Sequence, residues 1–93
     1  MANVCYVVIP GAAKGKRIGI VNYGESGYYL TDYDNHETDA ECQEHCDLNN
    51  KPLGISPKVA ESMLEGSMFG WDCPAAQVAV DHFKAQRCVE RSM

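Results

Sequence analysis

The cysteines and histidines are the residues of this sequence best suited to chemistry. Cys42, His45 and Cys46 lie within five positions of one another, on a stretch that favours a helix. His82 and Cys88 could complete a tetrahedral set of zinc ligands with them. Structural zinc sites usually take each ligand pair from a tight turn, whereas this second pair would span almost two helical turns. We therefore interpret the cysteines as thiols packed inside the fold, and predict no bound metal and no cofactor.

One thiol, Cys73, is placed as a nucleophile could be. It precedes a predicted helix whose N-terminus would stabilise a thiolate, but no histidine lies near it in the sequence to act as a base. Asp32, Asp34 and Glu37 could bind a cation, yet they lack the glycine and the distal glutamate of a calcium loop. No paired-carboxylate, triad, phosphate-loop or zinc-hydrolase signature is present. We predict no catalytic residue and interpret the protein as not an enzyme.

Three short apolar runs at the start of the chain predict β-strands. Val4 to Ile9 is rich in β-branched and aromatic residues, which favours a strand covered in part on both faces. Lys16 to Tyr23 forms a second run. A third run begins at Gly27 and extends to Thr31 or Tyr33. Because the connections are short, we expect an antiparallel meander.

A capping box predicts where the first helix begins. Thr38 is its N-cap and Glu41 stands three residues later, so the helix should run from Asp39 to about Asn49. We expect its inward stripe to consist of two cysteines and an asparagine: Cys42, Cys46 and Asn49.

Two further helices are predicted near the C-terminus. Ser56 and Pro57 suit the N-cap and first position of one helix, and Gly66 is its expected C-cap. A compact aromatic loop, Ser67–Trp71, should follow. The last helix begins near Pro74 and carries a regular apolar stripe: Ala76, Ala79, Val80 and Phe83.

The order of these elements defines the fold class. Strands first and helices after indicate a single α+β domain over residues 1–93. We expect a three-stranded antiparallel sheet followed by two or three helices packed on one face. Such a sheet has two edges, and an open edge could join a second copy into a homodimer.

The charge is unevenly distributed. The chain has a net charge of −5, and seven acidic residues but no Lys or Arg lie between positions 31 and 50. This acidic block would repel a phosphate backbone, so nucleic-acid binding is disfavoured. It suits either a solvated surface or contact with a basic partner protein.

Composition also bears on the compartment. No apolar run approaches the roughly 20 residues that cross a bilayer, and Val4–Ile9 is too short and wrongly flanked for a secretory signal. Five cysteines are an odd number, unlike a secreted disulfide framework. We expect a cytoplasmic protein with no membrane partner.

Two stretches resemble a known group of proteins. They are Gly27-Tyr28-Tyr29-Leu30-Thr31-Asp32 and the segment that leads to Gly66-Ser67-Met68-Phe69-Gly70-Trp71-Asp72-Cys73-Pro74-Ala75-Ala76. Together they are similar to small uncharacterised bacterial proteins, many carried by phages and other mobile elements. That family has no established activity, so the resemblance implies an accessory protein of a mobile element and no catalytic position.

These observations favour a non-enzymatic interaction or regulatory protein. It would bind a protein partner through its acidic segment and its tyrosine-rich strand. The acidic segment suits a basic partner. The residues expected at the contact are aromatic or acidic: Tyr28, Tyr29, Asp32, Tyr33, Glu37, Glu41, Glu44, Phe69 and Trp71. The alternative is a small-molecule or metal-binding module with a pocket between the sheet and the Ser67–Trp71 loop.

Overall fold

The computed structural model describes residues 3–12, 16–31 and 38–92, with side chains as far as residue 86. Three strands come first: β1 (Val4–Val8), β2 (Ile18–Asn22) and β3 (Tyr28–Leu30). Three helices follow: α1 (Asp39–Asn50), α2 (Pro57–Phe69) and α3 (Gln77–Ser92). Short 3-10 turns at Lys51–Leu53 and Pro74–Ala76 precede the second and third helix.

The strands form the predicted antiparallel meander in the order β1-β2-β3. In the register of β1 and β2, Cys5 opposes Val21 and Val8 opposes Ile18. Opposed residues place their side chains on the same face of a sheet, and neighbours along a strand alternate between faces. Cys5 and Val21 therefore share one face, and Val8 and Ile18 share the other. The α+β class and the three-stranded sheet are confirmed.

Helices cover both faces of this sheet. Cys5, Val7 and Val21 belong to a core cluster with residues of α2 and α3, including Met63 and Phe83. On the opposite face, the side chains of a second cluster come from β1, β2 and α1: Tyr6, Val8, Ile18, Cys42 and Cys46. Two helices thus pack on one face, as expected, but α1 packs on the other, which corrects the expectation that helices cover a single face. The physical reason lies in β1, whose apolar residues are consecutive and need burial on both sides.

The N-caps of the helices agree with the sequence. The hydroxyl of Thr38 accepts from the Glu41 N–H at 3.1 Å, and that of Ser56 accepts from the Val59 N–H at 3.3 Å. These bonds satisfy N–H groups that lack a partner inside their helices. The predicted apolar stripe of the last helix is also confirmed, because all four of its residues are buried: Ala76, Ala79, Val80 and Phe83.

The structure corrects two details of the helices. The buried asparagine of α1 is Asn50, whereas Asn49 is only half-buried and donates to the His45 carbonyl. Gly66 does not end α2, since the helix continues to Phe69 and closes at Gly70, whose φ is +99°. The expected loop over Ser67–Trp71 therefore begins at Gly70.

No helix within the described residues is both long enough and apolar enough to cross a membrane.

Candidate interaction surfaces

The third strand carries large side chains that no described element covers. Tyr29 is 72% exposed, and Tyr28 and Leu30 on either side of it are also exposed. Tyr29 opposes Ile20 and therefore lies on the α1 face of the sheet, whereas Tyr28 opposes Val21 and lies on the α2 and α3 face. Large exposed apolar side chains in series mark a contact surface.

The backbone of β3 is open on its outer side. The Thr31 N–H donates to the Ile18 carbonyl at 3.0 Å, which places Thr31 and Tyr29 among the residues bonded to β2. Successive residues of an antiparallel strand direct their N–H and C=O to opposite sides, so the residues that alternate with Tyr29 and Thr31 point away from β2. In β3 these residues are Tyr28 and Leu30. Among the described residues no further strand joins this side, so β3 is an edge available for pairing.

Two more exposed residues lie beside the start of β3. The Gly27 N–H donates to the Ser67 carbonyl at 3.3 Å, which joins the last turn of α2 to the strand. The next residues of α2, Met68 and Phe69, are exposed, and Phe69 is 68% accessible. We call Tyr28, Tyr29, Leu30, Met68 and Phe69 together the apolar edge.

Trp71 has different surroundings from Phe69. Its ring is half-buried, with an edge-to-face contact to Tyr23 at a centroid distance of 4.8 Å. Its Nε1–H donates to the Glu25 carbonyl at 3.2 Å. Trp71 also lies directly on Gly66 of α2. It therefore fastens the turn between β2 and β3 to the helical layer and holds the apolar edge in place.

Helix α1 carries four of the acidic residues that the structure describes. Glu41 and Glu44 are exposed, and Asp39 pairs with Arg17 at the start of the helix. Leu48 follows Glu44 by one turn and is 64% exposed. Because positions separated by three, four and seven residues share one side of a helix, we call Glu41, Glu44 and Leu48 the acidic face. The remaining predicted contacts, Asp32, Tyr33 and Glu37, lie outside the described residues.

The two surfaces occupy different parts of the molecule. The buried side of α1 packs over β1 and the start of β2, whereas β3 is at the opposite edge of the sheet. Sequence reasoning named aromatic and acidic residues but missed three apolar members: Leu30, Leu48 and Met68. Leu48 could have been found, because it stands four residues after Glu44 on the predicted outer side of the helix.

The cysteines whose side chains the structure describes carry thiols rather than disulfides. Cys5, Cys42 and Cys46 are buried, and Cys73 is half-buried. Burial, with a smaller contribution from nearby Cys46, raises the pKa of the Cys5 thiol to about 12. A thiol held in this way stays protonated and is a poor nucleophile.

The structure does not assemble the zinc ligand set considered from the sequence. Cys42 and Cys46 lie on the α1 face of the sheet, whereas His82 belongs to α3 on the other side, where its ring contacts Phe83. The side chain of Cys88 lies outside the described part of the chain. Within the described residues, no group of three or more Cys, His, Asp or Glu is placed to hold a metal ion.

A groove of about 440 Å³ runs along β1 between α1 and α2. Its walls are partly apolar and partly charged, with contributions from Val8, Gln43, Lys58, Glu61 and Leu64. The pocket expected from the sequence was placed beside residues 67–71, so this groove lies in another part of the fold.

Comparisons of the chain with protein families, with curated proteins and with solved structures gave no match.

Proposed function

We propose that this protein is a non-enzymatic interaction protein that binds partner proteins through the apolar edge and the acidic face. The observation that carries the proposal is the outer side of β3, which no other described strand joins and where exposed Tyr28, Tyr29 and Leu30 combine apolar side chains with outward backbone groups. An edge of this kind binds an added strand through main-chain hydrogen bonds.

The acidic face supports a basic partner. From Asp39 to Asn50, α1 carries four acidic residues and no Lys or Arg. A concentration of one charge attracts an opposite surface over several ångströms and raises the association rate. Leu48 adds an apolar contact among these carboxylates, and such a combination is typical of an interface with an apolar centre and a charged rim.

We further propose that the protein acts in the cytoplasm as an accessory protein of a phage or mobile element. The thiols of Cys5 and Cys73 support the first part, because a reducing compartment keeps cysteines out of disulfides. The second part depends on the resemblance of the segment from Gly66 to Ala76.

The test is capture of partners from the native host by the tagged protein, with charge-reversal variants. Glu41→Lys with Glu44→Lys alters the acidic face, and Asp72→Lys with Asp81→Lys gives the same change of net charge at exposed sites elsewhere. We expect the first pair to lower partner recovery at least tenfold and the second to leave it nearly unchanged. Recovery by the wild type should also fall between low and high salt. Equal recovery by both pairs would refute a role for the acidic face.

A second candidate function is a small-molecule site in the groove along β1. Its size and its mixture of apolar and charged walls suit a compact polar ligand. Native mass spectrometry of freshly purified protein should then show a mass above that of the bare chain. The variant Leu64→Trp would fill the groove and remove the additional mass, whereas Leu48→Trp on the acidic face would not.

A further inference from the structure

We propose that the outer side of β3 pairs antiparallel with β3 of a second copy of this chain, with Tyr29 of the two copies opposite each other on the twofold axis. The inference deepens the proposed function and depends on it, because it names the occupant of the apolar edge. The acidic face of each copy then stays available for a different partner.

The spacing of the free backbone groups determines this register. Tyr28 and Leu30 direct N–H and C=O outward, and they are two residues apart. With Tyr29 on the axis, Tyr28 of each copy opposes Leu30 of the other. Each such pair exchanges two hydrogen bonds, so the contact forms four. If the axis passed through Tyr28 or Leu30 instead, only one outward residue of the strand would meet its equivalent, with two bonds.

The same register places every exposed side chain of β3 against an apolar one. On the α1 face the two Tyr29 rings are neighbours, since residues of a pair without mutual hydrogen bonds have Cα atoms about 4.5 Å apart. On the other face, Tyr28 of one copy lies beside Leu30 of the second. Each cross-strand pair of this kind contributes roughly 0.2–1 kcal/mol. The three strands of each copy would then form one six-stranded sheet.

Charge favours a second copy at this edge over a basic protein. The chain has a net charge of −5, yet the segment from Ser26 to Thr31 carries no charged residue. Within this segment two copies can pair without like charges in opposition, and a basic strand would find no carboxylate opposite it, since the nearest acidic residues, Glu25 and Asp32, flank the segment. The contact involves few residues, so we expect a dissociation constant of about 10 µM, weaker than for interfaces of standard size.

Disulfide trapping tests the register directly. In a background with Cys73→Ser and Cys88→Ser, Tyr29→Cys should form a disulfide-linked dimer under mild oxidation, because the two Cα atoms are within bonding range. Tyr28→Cys alone and Leu30→Cys alone should not, since equivalent residues are then offset along the strands. A mixture of these two variants should give a linked pair. Leu48→Cys, equally accessible on the acidic face, is the control for random collisions.

Sedimentation measures the association without any cross-link. The wild type should pass from monomer to dimer between about 1 and 100 µM, following the expected dissociation constant. Tyr29→Lys places two like charges at the axis and should keep the protein monomeric, whereas Leu48→Lys should dimerise like the wild type. Circular dichroism of both variants confirms that they are folded.

Several results would overturn the inference: a wild type that stays monomeric at 100 µM, or Leu30→Cys linking as readily as Tyr29→Cys. A monomeric wild type whose Tyr29→Lys variant loses a captured host protein would assign the edge to that protein instead. The proposed role of the acidic face is decided separately, because Glu41→Lys with Glu44→Lys leaves β3 unchanged.

Discussion

The side-chain amide of Asn50 pairs with both backbone polar groups of Tyr6. Asn50 Nδ2 donates to the Tyr6 carbonyl at 2.9 Å, and Asn50 Oδ1 accepts from the Tyr6 N–H at 2.7 Å. Tyr6 opposes Ile20, a position of β1 whose backbone groups point away from β2. The end of α1 thus does for β1 what a fourth strand would do, and one edge of the sheet is closed at that point.

Replacement of Asn50 by leucine should destabilise the fold strongly. Asn50 is 1% exposed, so Asn50→Leu would remove the partners of the Tyr6 N–H and C=O at a half-buried place on the sheet edge. We expect a loss of about 2–4 kcal/mol in the free energy of unfolding, measured by urea denaturation. Asn49→Leu is the matched control, because Asn49 bonds only to its own helix through the His45 carbonyl and should cost less than about 1 kcal/mol. Equal losses would contradict the edge-closing role of Asn50.

The contrast between Asn49 and Asn50 shows where sequence reasoning stops. The capping box at Thr38 and Glu41 predicts where α1 begins, because its bonds are local. The helical period allows either asparagine to face inward near the end of the helix. Only the position of β1, which comes from a distant part of the chain, decides between them.

Tertiary packing also decided the outcome at Gly66. A glycine after an apolar helical stretch is a common C-cap, and the sequence alone favours that interpretation. In the structure, Gly66 is buried inside α2, and the ring of Trp71 occupies the space of the missing side chain. By contrast, the edge position of β3, which makes Tyr28 and Tyr29 accessible, follows from the antiparallel meander that the short connections predict.

The effect of Gly66→Ala on stability should reverse its sign when the ring of Trp71 is removed. A Cβ at Gly66 would lie 2.5 Å from Cζ3 of Trp71, so Gly66→Ala should displace the ring and cost about 1–3 kcal/mol. With Trp71→Ala the obstacle is gone, and Gly66→Ala should then stabilise the protein by up to about 1 kcal/mol through better helix propensity. Thermal unfolding of the four proteins measures both effects. A loss of similar size in both backgrounds would exclude the ring as the cause.

Ser62 connects α2 to the segment that follows it. Its hydroxyl donates to the Ala75 carbonyl at 2.7 Å and accepts from the Ala79 N–H at 3.0 Å. Ser62→Ala removes both bonds in a buried place and should lower the free energy of unfolding by about 1–3 kcal/mol. Ser67→Ala is the control, since the Ser67 hydroxyl bonds only to the Leu64 carbonyl of the same helix. If both variants lost the same stability, the bonds of Ser62 to Ala75 and Ala79 would contribute no more than the bond of Ser67 within its own helix.

The buried thiol of Cys5 predicts how stability depends on alkaline pH. Its pKa in the folded protein is raised to about 12 from an ordinary 9.0, chiefly by burial and then by Cys46. A folded-state pKa above the unfolded value means that the contribution to stability is complete below pH 9 and is lost as the pH rises towards 12.

Other groups titrate in this range, so the comparison is with Cys5→Ala, which lacks the thiol. At pH 7 this variant should be less stable than the wild type by about 1 kcal/mol, because it leaves a small cavity. The difference should shrink above pH 9 and change sign before pH 11, because ionisation of the Cys5 thiol in the unfolded chain then outweighs the cavity. Urea unfolding curves at pH 7, 9 and 11 measure the difference in the free energy of unfolding between the wild type and Cys5→Ala. A difference that stays constant over this range would show that the Cys5 thiol does not resist ionisation.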